Sequence, residues 1–164
     1  MKKMFKLLLM LLPVLVLAQG QNGRSFTHTV QLQEKPETVW NAITDFSTFS
    51  LWDSNIVDLR CPNELSEGSM CKVIVRSGQV FEVEVLELVE GQSYTARYKL
   101  KNGNVYIKRA LAAENTLELT ETVWYTGLSK RTFEGFKGSD YDTTLKTRLQ
   151  DFKKYLEEDL AEGQ

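Results

Sequence analysis

The sequence predicts an α+β domain: a curved antiparallel sheet of about six or seven strands, two short helices after the first strand, and a long C-terminal helix packed on the sheet. Three observations predict it. Between residues 55 and 126 apolar residues recur with a period of two in short runs separated by turn signals, as half-buried antiparallel strands require. The dipeptide Asn102-Gly103 between two such runs is a strong hairpin signal. From residue 139 to 160 the period lengthens to that of an amphipathic helix.

Each element follows from its residues. "SFTHTVQLQ" (25–33) puts Phe26, His28, Val30 and Leu32 on one face of a first strand. Pro36 suits a first helical turn and Glu37 complements the positive helix start. Val39, Trp40 and Ile43, then Phe46 and Phe49, recur at helical spacing, giving two short helices that meet near Asp45. "NIVDLRC" (55–61) and "MCKVIVR" (70–76) form a first pair of strands. In "VFEVEVLELVE" (80–90) Phe81, Val83 and Val85 alternate with glutamates until Val85 and Leu86 stand together, a change of phase that a β-bulge explains. "SYTARYKL" (93–100) follows.

A type I′ turn at Asn102-Gly103 would set Leu100 opposite Val105, Tyr98 opposite Ile107 and Ala96 opposite Arg109. A three-residue turn at 114–116 would set Leu111 against Leu119, Arg109 against Glu121 and Ile107 against Val123. One continuous apolar face results, with a single opposed charge pair, Arg109 and Glu121, in its middle. The other face, with Arg97, Lys99, Lys108, Glu118 and Thr120, is wet. The stretch "GLSKRTFEGFKGSD" (127–140) reads either as a mobile flap carrying Phe133 and Phe136 or as a connection whose aromatics dock on the core. The final helix opens on a capping-box-like Ser139 and Asp142 and aligns Leu145, Leu149, Phe152, Leu156 and Leu160 along one stripe.

The chain ends bear on where the protein works. "MKKMFK" followed by the apolar run 7–17 and Ala18 has the pattern of a secretory signal over residues 1–18, followed by a flexible arm at 19–24 and one domain at 25–160. The run is shorter than the roughly 20 apolar residues a membrane-crossing helix needs, so no stable anchor is expected after processing. The expected protein is exported, periplasmic or secreted. Removing Lys2, Lys3 and Lys6 takes the formal charge from −2 to −5, which offers no electrostatic footprint for nucleic acid. Cys61 and Cys71 could face each other across a hairpin as a disulfide, which export permits, or stand as two small buried hydrophobes.

With these elements in place the chain resembles the START/Bet v 1-like (SRPBCC) superfamily, in its polyketide cyclase/dehydrase-like branch. The resemblance rests on Val39-Trp40, Ile43, Asp45, Phe49 and Trp52, set in the order strand, two short helices, antiparallel strands, long terminal helix. It implies a helix-grip fold with a cavity between sheet and C-terminal helix. Trp40 then reads as a wedge into the core, and Trp52 as core filler or as a residue near the cavity mouth. From the apolar face come the further candidate ligand contacts Phe81, Val83, Tyr98, Ile107 and Val123, with Arg109 and Glu121 either a structural ion pair or a polar handle for a ligand. Phe133 and Phe136, and Leu149 and Phe152 on the last helix, complete the candidates.

Catalytic constellations are scarce. His28 is the sole histidine and shares a face with apolar residues, which fits a structural role, and the sequence contains no redox CxxC or phosphate-cradling glycine loop. No metal or cofactor is expected. Three functions stay open: a monomeric or weakly dimeric binder of a small hydrophobic or amphipathic molecule, a cyclase/dehydrase-like or hydrolase-like enzyme drawing on Arg109, Glu121, Tyr98 or His28, and an interaction module using the outer sheet face, as some superfamily members do with chaperones. The shortage of titratable groups favours binding.

Overall fold

Strand β1 (Ser25–Leu32) and strands β2 (Ile56–Arg60) through β7 lie in one antiparallel sheet of order β1-β7-β6-β5-β4-β3-β2. The computed structural model describes residues 25–158. The expected signal segment (1–18), the arm (19–24) and Leu160 lie outside the described residues. With β2, strands β3 (Met70–Val75), β4 (Val80–Val89), β5 (Ser93–Leu100), β6 (Gly103–Ala113) and β7 (Leu117–Thr126) form a six-strand meander, and β1 joins its far edge beside β7. The chain therefore travels from one edge of the sheet to the other between β1 and β2, through α1 (Pro36–Thr44), a 3₁₀ turn (Phe46–Thr48) and the single-turn α2 (Phe49–Trp52). Helix α4 (Tyr141–Glu158) packs on β1 and α2, leaving the β2–β5 side of the concave face to enclose space.

Bulges curve the sheet. The phase change read at Val85-Leu86 is a register shift between Val85 and Glu87, and a second shift lies between Ile56 and Asp58. Each adds a residue to one strand and bends it. Cys61 and Cys71 are joined as a disulfide just beyond the β2–β3 pair.

The three-residue turn at 114–116 holds, with Arg109 opposite Glu121, Leu111 opposite Leu119 and Ile107 opposite Val123. The β5–β6 turn differs from expectation by two residues: Leu100 faces Gly103 around Lys101-Asn102, Tyr98 faces Val105, Ala96 faces Ile107, and Tyr94 faces Arg109. Among the described residues only glycines have a positive φ, and Gly103 is not one of them, so the turn is not type I′. Gly103 serves close approach instead. A Cβ there would stand 2.2 Å from the Thr126 backbone oxygen, so the residue belongs in the strand against Gly127 rather than in the turn.

Two helical details also differ. Residues 127–140 contain a helix that the sequence pattern did not suggest: Lys130–Lys137 form α3, capped by Ser129, whose hydroxyl accepts from the Thr132 amide at 3.1 Å. Helix α4 starts at Tyr141, and Asp142 pairs with His28 at 3.0 Å rather than completing a box with Ser139. The stripe of α4 is wider than its leucines, since Tyr141, Arg148 and Tyr155 are buried with Leu145, Leu149, Phe152 and Leu156. On the outer face of the sheet Tyr106 and Trp124 stack at 5.1 Å and paired threonines join β1 to β7.

Candidate functional site

Between the concave face, α2, α3 and α4 the protein encloses a cavity of about 680 Å³. Its sheet side is aliphatic: Ile56 and Leu59 from β2, Val73 and Val75 from β3, Val83 and Val85 from β4. These residues point inward because Val73 and Val75, like Val83 and Val85, alternate along their strands, while the bulge between Ile56 and Asp58 keeps Ile56 and Leu59 on one face. Aromatic rings close the flanks. Phe81, Tyr98 and Phe136 form an edge-to-face cluster with centroids 4.8–6.4 Å apart, and Phe46 and Phe49 close the side below α2. Ser54, Asn55, Ser77, Gln79, Thr143 and Thr144 give the margin a polar rim.

The deep end is charged. Glu121, with no exposed surface, is gripped between two arginines: Arg109 Nε donates to Oε2 at 2.8 Å, and Arg148 Nη2 donates to Oε1. Arg109 also donates to the Tyr94 hydroxyl, and Arg148 to the Tyr141 hydroxyl at 3.0 Å. Arg148 Nη1 reaches Asp53 Oδ2 at 3.4 Å, while Asp53 Oδ1 accepts from the Asn55 amide at 3.0 Å. Two guanidiniums are thus matched by two carboxylates, as buried charge demands. The Arg109 guanidinium further lies 4.9 Å from the Phe49 ring centre and 5.0 Å from that of Trp52.

Burial alone would push the Glu121 carboxyl up, but the guanidiniums of Arg109 and Arg148 outweigh it and hold the group below the usual carboxylate range. Burial pushes the Tyr98 phenol up, so that it stays a neutral hydroxyl. Lys137, the last residue of α3, lines the cavity with its ammonium 4.6 Å from the Tyr98 ring centre and 4.8 Å from that of Phe136. Burial, then the nearby Arg148 charge, lowers its pKa to about 8.

Six of the sequence-derived candidates line this cavity: Phe81, Val83, Tyr98, Ile107, Arg109 and Phe136. The other six lie behind its walls. Glu121 sits under the two arginines, and Val123 is sealed where β7 meets the helical layer. Phe133 is stacked on Tyr125 and Phe26 at 4.4 and 5.4 Å, so of the two α3 aromatics one docks on the core and one faces the cavity. Leu149 and Phe152 fill the α4–sheet core. Trp52 is not at the mouth. It is 3% exposed, packed between Phe49 and Phe152 at 4.5 and 4.9 Å, with its indole N–H lacking a hydrogen-bond partner. Trp40 is buried too, and donates to Glu90 at 2.7 Å.

Sequence reasoning missed Asp53, Tyr94, Lys137, Tyr141 and Arg148. Arg148 was findable: it follows Leu145 by three and precedes Phe152 by four, which places it on the apolar stripe. A charge on such a stripe signals a buried partner. Tyr94 was displaced by the register error at Gly103. Lys137 carried no signal once the α3 segment was read without a helix. His28 lies outside the cavity, joined to Asp142. Among the described residues no cluster of His, Cys, Asp or Glu is arranged to hold a metal ion, and no helix is long and apolar enough to cross a membrane.

A family model for polyketide cyclase / dehydrase and lipid transport matches residues 24–157. Among solved structures, protein MLL2253 from Mesorhizobium loti superposes with a TM-score of 0.65 at 15% identity, over 82% of this chain and 97% of that one. A START superfamily protein from Mycobacterium smegmatis gives 0.63 at 16% identity, over 82% and 98%. The Aha1 dimer from Colwellia psychrerythraea gives 0.60 at 18%, over 82% and 96%. At these identities the likeness is one of fold. No curated protein matches the sequence.

Proposed function

Because the chain belongs to the polyketide cyclase/dehydrase and lipid transport family, we propose that it is an exported carrier that holds a small amphipathic molecule in the cavity beneath α4. The observation that carries this reading is the cavity itself: about 680 Å³, aliphatic along β2–β4, aromatic at its flanks and polar only at its rim and deep end. That volume and that distribution of polarity match small-molecule sites in general.

Holding rather than converting the guest is supported by how the polar groups are occupied. Arg109 and Glu121 are bonded to each other, Glu121 is further bonded to Arg148, and His28 is bonded to Asp142 outside the cavity. A general acid or base needs a free proton site within hydrogen-bond reach of the guest. Two lining groups favour the enzyme reading: Tyr98, kept neutral by burial, as a proton donor to a carbonyl, and Lys137, with its pKa lowered to about 8, as an acid or base. Export is supported by the leader-like pattern of residues 1–18 and by the Cys61–Cys71 disulfide, a bond that oxidising compartments preserve.

Native mass spectrometry of protein purified from its own host tests the carrier reading. A stoichiometric small-molecule adduct, released unchanged on denaturation, is expected; a chemically altered product accumulating with turnover, or no adduct in any preparation, contradicts it. N-terminal sequencing of the same material tests export: the mature chain is expected to begin at Gln19, and a start at Met1 overturns that part.

A further inference from the structure

We propose that the guest is a monoanionic amphiphile, a carboxylic acid on an apolar body, whose carboxylate pairs with the Lys137 ammonium while its hydrocarbon lies along the β2–β4 wall. This rests on the reading of the cavity as a binding site and adds the chemistry of the head group.

The argument is one of charge balance. At the deep end Arg109 and Arg148 are matched by Glu121 and Asp53. Lys137 is the third cation facing the cavity, and it takes part in none of the ion pairs among the described residues. Its ammonium rests instead against the faces of Tyr98 and Phe136 and, at 5.9 Å, that of Tyr141. A ring face is a weaker partner for a desolvated cation than a carboxylate. Two further carboxylates line the cavity, Asp140 just before α4 and Asp151 on it; both are exposed, and neither is ion-paired with Lys137.

One uncompensated positive charge calls for one negative charge. A phosphate dianion would bring more charge than there is to neutralise, and a neutral or cationic amphiphile would leave Lys137 unpaired. The ammonium also sits beside Phe136, which packs on Phe81 at 4.8 Å, so a carboxylate there places the attached chain toward Val83 and Val73. Burial first, and then the nearby Arg148 charge, lower the pKa of Lys137, and a carboxylate set beside the ammonium would raise it again.

Two matched probe pairs test this by calorimetric titration near neutral pH: dodecanoic acid against dodecanol, and pyrenebutanoic acid against pyrenebutanol. In the native protein at least one acid is expected to bind about tenfold or more tightly than its alcohol. In Lys137→Met that preference disappears while the alcohol binds as before, and in Lys137→Arg it persists; equal melting temperatures of the three proteins establish that each is folded. If each alcohol binds as tightly as its acid in the native protein, or Lys137→Met keeps the preference, the head-group proposal is overturned and the cavity remains a binding site. Binding of neither pair overturns the cavity reading and the head group with it.

Discussion

At the scale of single residues the protein's unusual feature is a buried cluster of four charges, Asp53, Arg109, Glu121 and Arg148, on strands and helices far apart in sequence. Removing one member strands the others in a low-dielectric interior. Glu121→Leu leaves both guanidiniums without their shared carboxylate and is expected to cost about 3–5 kcal/mol, read by urea denaturation. An effect within experimental error would mean that water reaches the cluster. The folded-state pKa of Glu121 lies below its unfolded value, so its contribution is fully present above the unfolded carboxylate pKa and is lost as pH falls through the folded one. Lys137 is also shifted down, but there the charged form is the disfavoured one. Its folded pKa of about 8 lies below its unfolded value of 10.5, so the folded state holds fewer protons in that window and stability gains as pH rises through it. The groups around it are Asp53, Arg109, Glu121 and Arg148, with the Tyr98, Phe136 and Tyr141 rings against the ammonium. Relative to Lys137→Met, the native protein should therefore gain stability between about pH 8 and pH 10, as thermal melts across that range report. Half of the cluster was legible in the sequence. Arg109 and Glu121 stood out as lone charges on an alternating apolar face, while Asp53 and Arg148 reach them only through the tertiary packing of α2 and α4.

Among the elements, the turns decide the register, and the two β-turns flanking β6 behaved differently for a physical reason. The loop at 114–116 connects strands whose alternation permits one pairing, so the Arg109–Glu121 match follows from the pattern. At Asn102-Gly103 the glycine is needed for a strand contact, which no local rule reveals. Gly103→Ala would place a methyl group 2.2 Å from the Thr126 oxygen and is expected to destabilise by more than about 1 kcal/mol. Were it neutral in a chemical melt, the close approach would not hold. Helix α3 escaped detection because Gly135 and Gly138 dilute its pattern, although Ser129 is a sound cap. The disulfide ties β2 to β3 across a sequence separation of 10, and its reduction is expected to lower stability by about 2–3 kcal/mol. Equal denaturation midpoints with and without reductant would remove it from the account. Its two cysteines were visible as partners, but alternation alone could not distinguish a bond from two buried thiols.

For the whole molecule, the fold follows from order and amphipathicity: one strand, two short helices, a six-strand meander and a gripping helix. The cavity was less legible, because enclosed volume depends on how far α4 stands from the sheet. Helix α4 packs on β1 and α2, and the sheet curves at its bulges, so space is left on the β2–β5 side where the sequence shows ordinary strand residues. Leu149, Phe152 and Val123 turn inward as true lining residues such as Val83 do, and the packing of α4 on β1 and α2 separates the two sets. Filling the hollow should separate binding from stability. Ile107→Trp is expected to abolish uptake of dodecanoic acid, measured by calorimetry, while the protein still unfolds cooperatively; undiminished uptake would place the guest elsewhere. The most direct measurement is a methyl-resolved NMR titration with the same acid. The account predicts saturable shifts at the methyls of Ile56, Val73, Val83 and Ile107, with Leu119, Val123, Leu145 and Leu149 behind the wall much less affected. Shifts confined to exposed Leu51, Val57 and Val80, with the cavity methyls unmoved, would contradict it.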